Sequence, residues 1–248
     1  MLEYRPPKHL LTGQTILVTG AGEGIGRALA QGFAEHGATV VLVGPGLDAL
    51  ESVYDEIESA GGPQPAIYPI TFEGATDHDY QQLAETLQLE FGHLDGLIHN
   101  AAILRLLSRI DDYDVATWYK VLQVNLNAPF MLTQACLPLL RKSPEASIIF
   151  VSDRVGRKGK AYWGAYGVSK FGLEGLMQIL AEELENETRI RVNSVDPGPC
   201  RTNLRAHAYP GEDPQTVKPP DRVLPLFLWL LGPEGRGTHG QALSVDPE

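Results

Sequence analysis

A chain of 248 residues with 31 acidic against 20 basic side chains carries a formal charge of -11, a field that repels phosphate backbones and anionic lipid and speaks against nucleic acid or a membrane as partner. A hydrophobic share of 43% supplies a sizeable core and excludes a disordered chain. The two cysteines, Cys136 and Cys200, stand far apart with no histidine cluster, so neither a disulfide framework nor a metal site is expected. The first residues lack the apolar run of a signal peptide, and the most apolar late stretch, 226–231, is too short to span a bilayer, so a cytoplasmic protein is expected.

In chain order, short β-branched runs predict strands over 15–19, 39–43, 66–70, 96–99, 147–152, 191–195 and 242–245. Between them, helical periodicity predicts helices over 25–36, 47–60, 79–91, 115–140, 166–185 and 220–231. Strands alternating with crossover helices read as repeated βαβ units, hence an α/β protein with a seven-stranded parallel sheet. Runs such as Ile16-Leu17-Val18 and Ile148-Ile149-Phe150-Val151 are apolar at consecutive positions, as expected where helices cover both sheet faces. No linker or repeat divides the chain, so residues 1–248 read as one domain. Segment 203–218, rich in Pro, Asp and small residues, fits the rhythm poorly and reads as a long loop, either a binding segment or surface padding.

The first strand runs into Thr19-Gly20-Ala21-Gly22-Glu23-Gly24-Ile25-Gly26, which then opens a helix. Glycines there allow positive φ and close backbone approach, and a helix N-terminus offers unpaired N–H groups, a combination suited to the pyrophosphate of a dinucleotide. Further along, Tyr166 and Lys170 stand one helical turn apart on one face of a predicted helix. An ammonium beside a phenol favours the phenolate, which suits the tyrosine to exchange a proton with an alcohol or carbonyl. Taken singly, each pattern is also ordinary, a structural turn or a surface pair.

Together with His99-Asn100-Ala101, Asn125, and Pro197-Gly198-Pro199-Cys200-Arg201-Thr202, these motifs occur in an order that resembles the short-chain dehydrogenase/reductase family over nearly the whole chain. The resemblance implies a single-domain Rossmann fold and an oxidoreductase that transfers a hydride between NAD or NADP and a small-molecule carbonyl or alcohol. It implies Tyr166 as general acid/base, Lys170 as its activator and a ribose ligand, and Asn125 as the holder of a relay water. Gly20, Gly22, Gly24, Ile25, Gly26, Asn100, Ala101, Pro197, Gly198 and Thr202 would bind the cofactor. Relatives commonly form homodimers or homotetramers through the long helices flanking the fifth strand, here 115–140 and 166–185.

Several positions depart from that pattern. The family usually carries a serine where this chain has Asp153; a carboxylate only accepts hydrogen bonds and raises a neighbouring tyrosine pKa. Four readings are open: a protonated Asp153 that donates in the serine's stead, an Asp153 that binds a cationic or hydroxylated substrate, a shifted local register, or a catalytically silent cofactor-binding sensor or scaffold. Gly44 and Pro45 stand where a charged residue commonly selects NAD or NADP, Glu23 precedes Gly24, Thr71 replaces an Asp, and Ala102 replaces a glycine. Arg27 is the one cation beside the glycine turn. Arg154, Arg157, Lys158 and Lys160 form a cationic cluster that would steer an anionic substrate or remain a solvated loop, and Tyr162 and Trp163 are candidates for the pocket wall.

Overall fold

Every residue of β1 (Thr15–Thr19) is buried, because β2 (Thr39–Gly44) pairs along one edge, β4 (Gly96–His99) along the other, and helices cover both faces. The computed structural model describes residues 4–186 and 189–246. With β3 (Ala66–Pro69), β5 (Ala146–Val151), β6 (Ile190–Asp196) and β7 (Ala242–Ser244) the strands form a seven-stranded parallel sheet of order β3-β2-β1-β4-β5-β6-β7. The order reverses between β1 and β4, and that switch point opens a crevice at the carboxyl ends of the strands.

Side-chain alternation divides the core in two. Ile16, Val18, Val40, Leu42 and Ile98 pack against α1 (Gly24–Glu35), α2 (Leu47–Ser59) and α8 (Leu224–Leu231). Leu17, Val41, Leu97, Ile148 and Phe150 pack against α3 (Asp77–Glu90), α5 (Ala128–Leu140) and α6 (Gly164–Glu183) on the other face. Local chemistry sets several helix starts. The Thr76 amide and hydroxyl both donate to Asp79 Oδ2, at 2.7 and 2.8 Å, ahead of α3, and Asp114 accepts from the Thr117 amide at 2.7 Å to begin α4 (Val115–Leu122).

The expected helix over 115–140 is interrupted. A π-helical turn, Gln123–Asn127, separates α4 from α5, and its extra residue directs Asn125 inward, where the side chain bonds the Ile103 backbone in both directions. Segment 203–218 is also more ordered than a loop: Thr202 Oγ1 accepts from the Arg205 amide and caps the short α7 (Asn203–Ala208), with a 3₁₀ turn at Pro214–Thr216. The helix expected over 220–231 starts as a 3₁₀ turn at Pro220–Val223 before α8 takes over. Proline, lacking an N–H, is tolerated in that opening turn.

Candidate active site

At the crevice, the glycine turn wraps around the side chain of Asn100. Asn100 Nδ2 donates to the carbonyls of Thr19 at 3.0 Å and Gly20 at 3.3 Å, while Thr19 Oγ1 accepts the amides of Asn100 and Ala101, each at 3.0 Å. These bonds tie the end of β1 to the end of β4. Gly20 and Gly24 hold positive φ of 67° and 53°, and no side chain caps the N-terminus of α1, which leaves its first amides open. A dinucleotide pyrophosphate fits that cradle.

A cavity of about 750 Å³ extends from the turn across the carboxyl ends of the strands. Gly20, Gly22, Gly24, Ile25, Asn100, Ala101, Pro197, Gly198 and Thr202 all line it, as do Tyr166, Lys170 and Asp153. Gly26 does not line it, contrary to the sequence expectation of cofactor contact. A Cβ there would overlap the Gly20 carbonyl and lie 2.5 Å from Asn100 Nδ2, so this glycine permits the turn to close on α1. Asn125 likewise lies behind the wall, 1% exposed, with Nδ2 donating to Ile103 O at 2.9 Å and to Ser169 Oγ at 3.1 Å. It supports the segment that lines the cavity at Ala102 and Ile103.

Helix α6 presents Tyr166 and Lys170 to the same end of the cavity. Lys170 Nζ donates to the Val151 carbonyl at 2.7 Å and sits 5.5 Å from the Tyr166 ring centroid. Burial lowers the Lys170 pKa to about 8, partly offset by Asp153, Glu174 and Asp196. Tyr166 donates its phenolic proton to Asp153 Oδ2 at 3.2 Å, and the other carboxylate oxygen accepts the Val155 amide at 2.9 Å. Burial holds the phenol well above its ordinary pKa, with the charges of Asp153 and Asp196 adding to the shift. The backbone after β5 stays extended at Asp153, φ -159° and ψ 153°, and Ser152 is buried with no hydrogen-bond partner for its hydroxyl among the described residues. Position 153, with its carboxylate on Tyr166, is therefore the one aligned with the tyrosine, and no register shift puts Ser152 in its place.

Asp196, which ends β6 directly before Pro197-Gly198, was not singled out from the sequence. Its Oδ1 accepts the Gly198 amide at 2.8 Å, and burial raises its carboxyl pKa, followed among the raising causes by the nearby charge of Asp153. Its place beside the Pro-Gly turn was the available signal. The cationic cluster divides by role. Arg157 is a structural tether: Nε donates to Glu174 Oε1 at 3.0 Å, Nη1 to Ser244 Oγ at 2.9 Å and Nη2 to Leu243 O at 2.8 Å. Arg154, Lys158 and Lys160 line the cavity, and Lys160 donates to the Tyr209 hydroxyl at 2.9 Å. Trp163 lines it as well, but Tyr162 is exposed and does not.

At the adenosine end, Gly44, Pro45 and Glu23 line the cavity, with Glu23 accepting from Asn203 Nδ2 at 2.6 Å. Arg27 turns to Glu56 on α2 and does not line the cavity. Thr71 is also off the wall, its carbonyl accepting the amides of Gly74 and Ala75. Among the described residues, no cluster of His, Cys, Asp and Glu could hold a metal ion, and no helix is long and apolar enough to cross a membrane.

A family model described as short chain dehydrogenase matches residues 14–213. The chain is 44% identical over 246 residues to the uncharacterized oxidoreductase YciK of Escherichia coli K12, which covers 99% of this chain and 97% of that protein. A Pseudomonas syringae structure described as a short chain dehydrogenase superposes with a TM-score of 0.97 at 50% identity, covering 99% of this chain and all of the other. A Shigella flexneri structure of the same description, complexed with NADP, gives 0.95 at 44% identity and covers 97% of this chain and 100% of that one. None of these relatives favours a non-catalytic sensor or scaffold.

Proposed function

The chain belongs to the short-chain dehydrogenase family and is an NAD(P)-dependent oxidoreductase acting on a carbonyl/alcohol pair; on that premise we propose that Tyr166 exchanges the proton, with Lys170 and Asn125 in support and Asp153 in the substrate-facing position. The carrying observation is that Tyr166, Lys170 and Asp153 meet at one end of the cavity whose other end is the glycine turn. When bound, the nicotinamide supplies or accepts the hydride. The chain's own residues do the rest. The Gly20–Gly24 turn and the open amides of α1 take the pyrophosphate, Asn100 and Thr19 fix the turn, and Pro197, Gly198 and Thr202 line the path of the nicotinamide half. Lys170, held by the Val151 carbonyl, keeps a positive charge beside the Tyr166 ring.

We read residues 1–248 as a single dinucleotide-binding and catalytic unit, cytoplasmic, with its two cysteines free and buried. A homodimer or homotetramer through α4, α5 and α6 is supported by the exposed Tyr119, Phe130, Phe171 and Ile179 on those helices. The relative solved with NADP supports that dinucleotide, whereas the Glu23 carboxylate at the adenosine end repels a 2′-phosphate and supports NAD. Parallel titrations with both decide between them. The test of the catalytic assignment is Tyr166→Phe: turnover falls by about 1000-fold while the dinucleotide Kd changes less than about threefold. A Phe variant with full turnover would remove Tyr166 from the proton step.

A further inference from the structure

The inner end of the cavity carries two carboxylates, Asp153 and Asp196, and each has one oxygen held by a backbone amide, Val155 at 2.9 Å and Gly198 at 2.8 Å. The second oxygen of Asp153 lies 3.2 Å from the Tyr166 hydroxyl, the group that must meet the reacting oxygen. A carboxylate can only accept a hydrogen bond. A neutral ketone placed on Tyr166 would bring its carbonyl lone pairs against the Asp153 carboxylate.

From this arrangement we propose that the substrate is a cationic amino alcohol, or its α-amino ketone, with its ammonium on the Asp153 carboxylate and its reacting oxygen on the Tyr166 hydroxyl. The proposal rests on the oxidoreductase reading above and names its substrate class. The geometry suits a vicinal pair, whose nitrogen and oxygen stand about one hydrogen-bond length apart, the same spacing that separates the two protein atoms. The ammonium then makes a charge-assisted bond to a carboxylate in a partly desolvated site.

The cavity wall carries Arg154, Lys158, Lys160, Lys170 and Arg205 against Glu23, Asp153 and Asp196, so what each cation bonds decides how open Asp153 is to a ligand. The inner cation, Lys170, donates one of its three N–H groups to the Val151 carbonyl. Arg205 is held by both carboxylate oxygens of Glu212, at 2.6 and 2.7 Å, and Lys160 is held by Tyr209, so neither occupies Asp153. Arg154 and Lys158 line the adjoining wall, and the attraction of Arg154 is felt at Asp196. A substrate ammonium also offsets one of the charges that hold the Tyr166 proton in place, which returns the phenol toward proton exchange. In the oxidative direction the carbinol carbon loses its hydrogen with both electrons to the oxidised nicotinamide. The hydroxyl proton passes to the Tyr166 phenolate, and the freed O–H electron pair closes the C=O bond.

The experiment compares 1-amino-2-propanol with 2-butanol, in which a methyl replaces the ammonium, using the dinucleotide-loaded wild type, Asp153→Ser and Asp153→Asn. Wild type is expected to favour the amino alcohol in kcat/KM by at least about 10-fold, and Asp153→Ser to reverse that order. Independently of turnover, 1-amino-2-propanol should raise the Tm of the loaded wild type and leave that of loaded Asp153→Asn unchanged. A wild type that prefers 2-butanol, a ratio unmoved by Asp153→Ser, or the absence of a Tm shift overturns the proposal. Oxidation of 2-butanol by Asp153→Ser, with wild type inert toward both alcohols and unshifted in Tm, overturns the substrate class and leaves the oxidoreductase reading standing; an active Tyr166→Phe enzyme would instead strike that reading itself.

Discussion

Replacing Gly26 by alanine tests whether the glycine turn is shaped by packing within the protein as well as by its ligand. The added Cβ would overlap the Gly20 carbonyl oxygen and lie 2.5 Å from Asn100 Nδ2 and 2.7 Å from the Gly20 carbonyl carbon. Two of these atoms are backbone and the third belongs to the side chain that donates to Thr19 O and Gly20 O, so the turn itself must move. Overpacking costs about 1–3 kcal/mol and the two displaced hydrogen bonds roughly 1 kcal/mol each, about 3–5 kcal/mol in all. At about 2–4 °C per kcal/mol for a chain of this size, Tm should fall by roughly 6–20 °C. A displaced cradle also weakens dinucleotide binding, by at least about 10-fold for each 1.4 kcal/mol carried into the bound state. Thermal unfolding followed by circular dichroism and a titration of NADH and NADPH fluorescence read the two effects. A variant with wild-type Tm and unchanged Kd would refute the packing argument, because it would show that the turn yields without cost.

Two further perturbations probe the frame around the site. His99 is buried, stacked on Phe150 at 4.8 Å and bonded through Nε2 to Thr133 Oγ1 at 2.8 Å, and burial lowers its pKa to about 3. The unfolded chain takes up the His99 proton near its ordinary value of about 6.5 while the folded one does not, so stability is full above about pH 6.5 and falls as pH drops toward 3. The slope is about 1.4 kcal/mol per pH unit, and His99→Gln should lose about 3–6 °C less in Tm than wild type between pH 6 and 5; parallel Tm curves would rule out a buried neutral histidine. Removing Arg157 strands Glu174, which is 5% exposed and also accepts from Ser194 Oγ at 2.6 Å. Arg157→Ala should cost about 2–4 kcal/mol in urea unfolding, and Arg157→Ala with Glu174→Ala less than the sum of the two single changes; strict additivity would show that the pair is not coupled.

Much of the fold follows from local pattern. Consecutive apolar residues in Ile16–Val18 and Ile148–Val151 require a sheet covered on both faces, and short strands separated by helix-length segments require parallel crossovers. The glycine turn and the Tyr166/Lys170 spacing are equally local, since a few adjacent residues decide which backbone conformations and which helix face they occupy. The helix broken at Gln123–Asn127 was illegible for the opposite reason. Its periodicity continues through the π turn, and the bond that accompanies the break, between Asn125 and Ile103, reaches outside the helix.

The sequence by itself determined which chemical groups are available: a phosphate-binding turn, a phenol, an ammonium and an aspartate at the position where a hydroxyl is usual. Only the tertiary structure decided what they meet. Asp153 is bonded to Tyr166, Asp196 adds a second carboxylate from the next strand, Arg157 ties the intervening loop to α6 and β7, and Gly26 turns out to be a packing residue. The physical reason is range. Backbone preference and periodicity act over neighbouring residues and are written in the order of side chains, whereas hydrogen bonding, desolvation and charge coupling act between groups that approach only when the strands and helices pack.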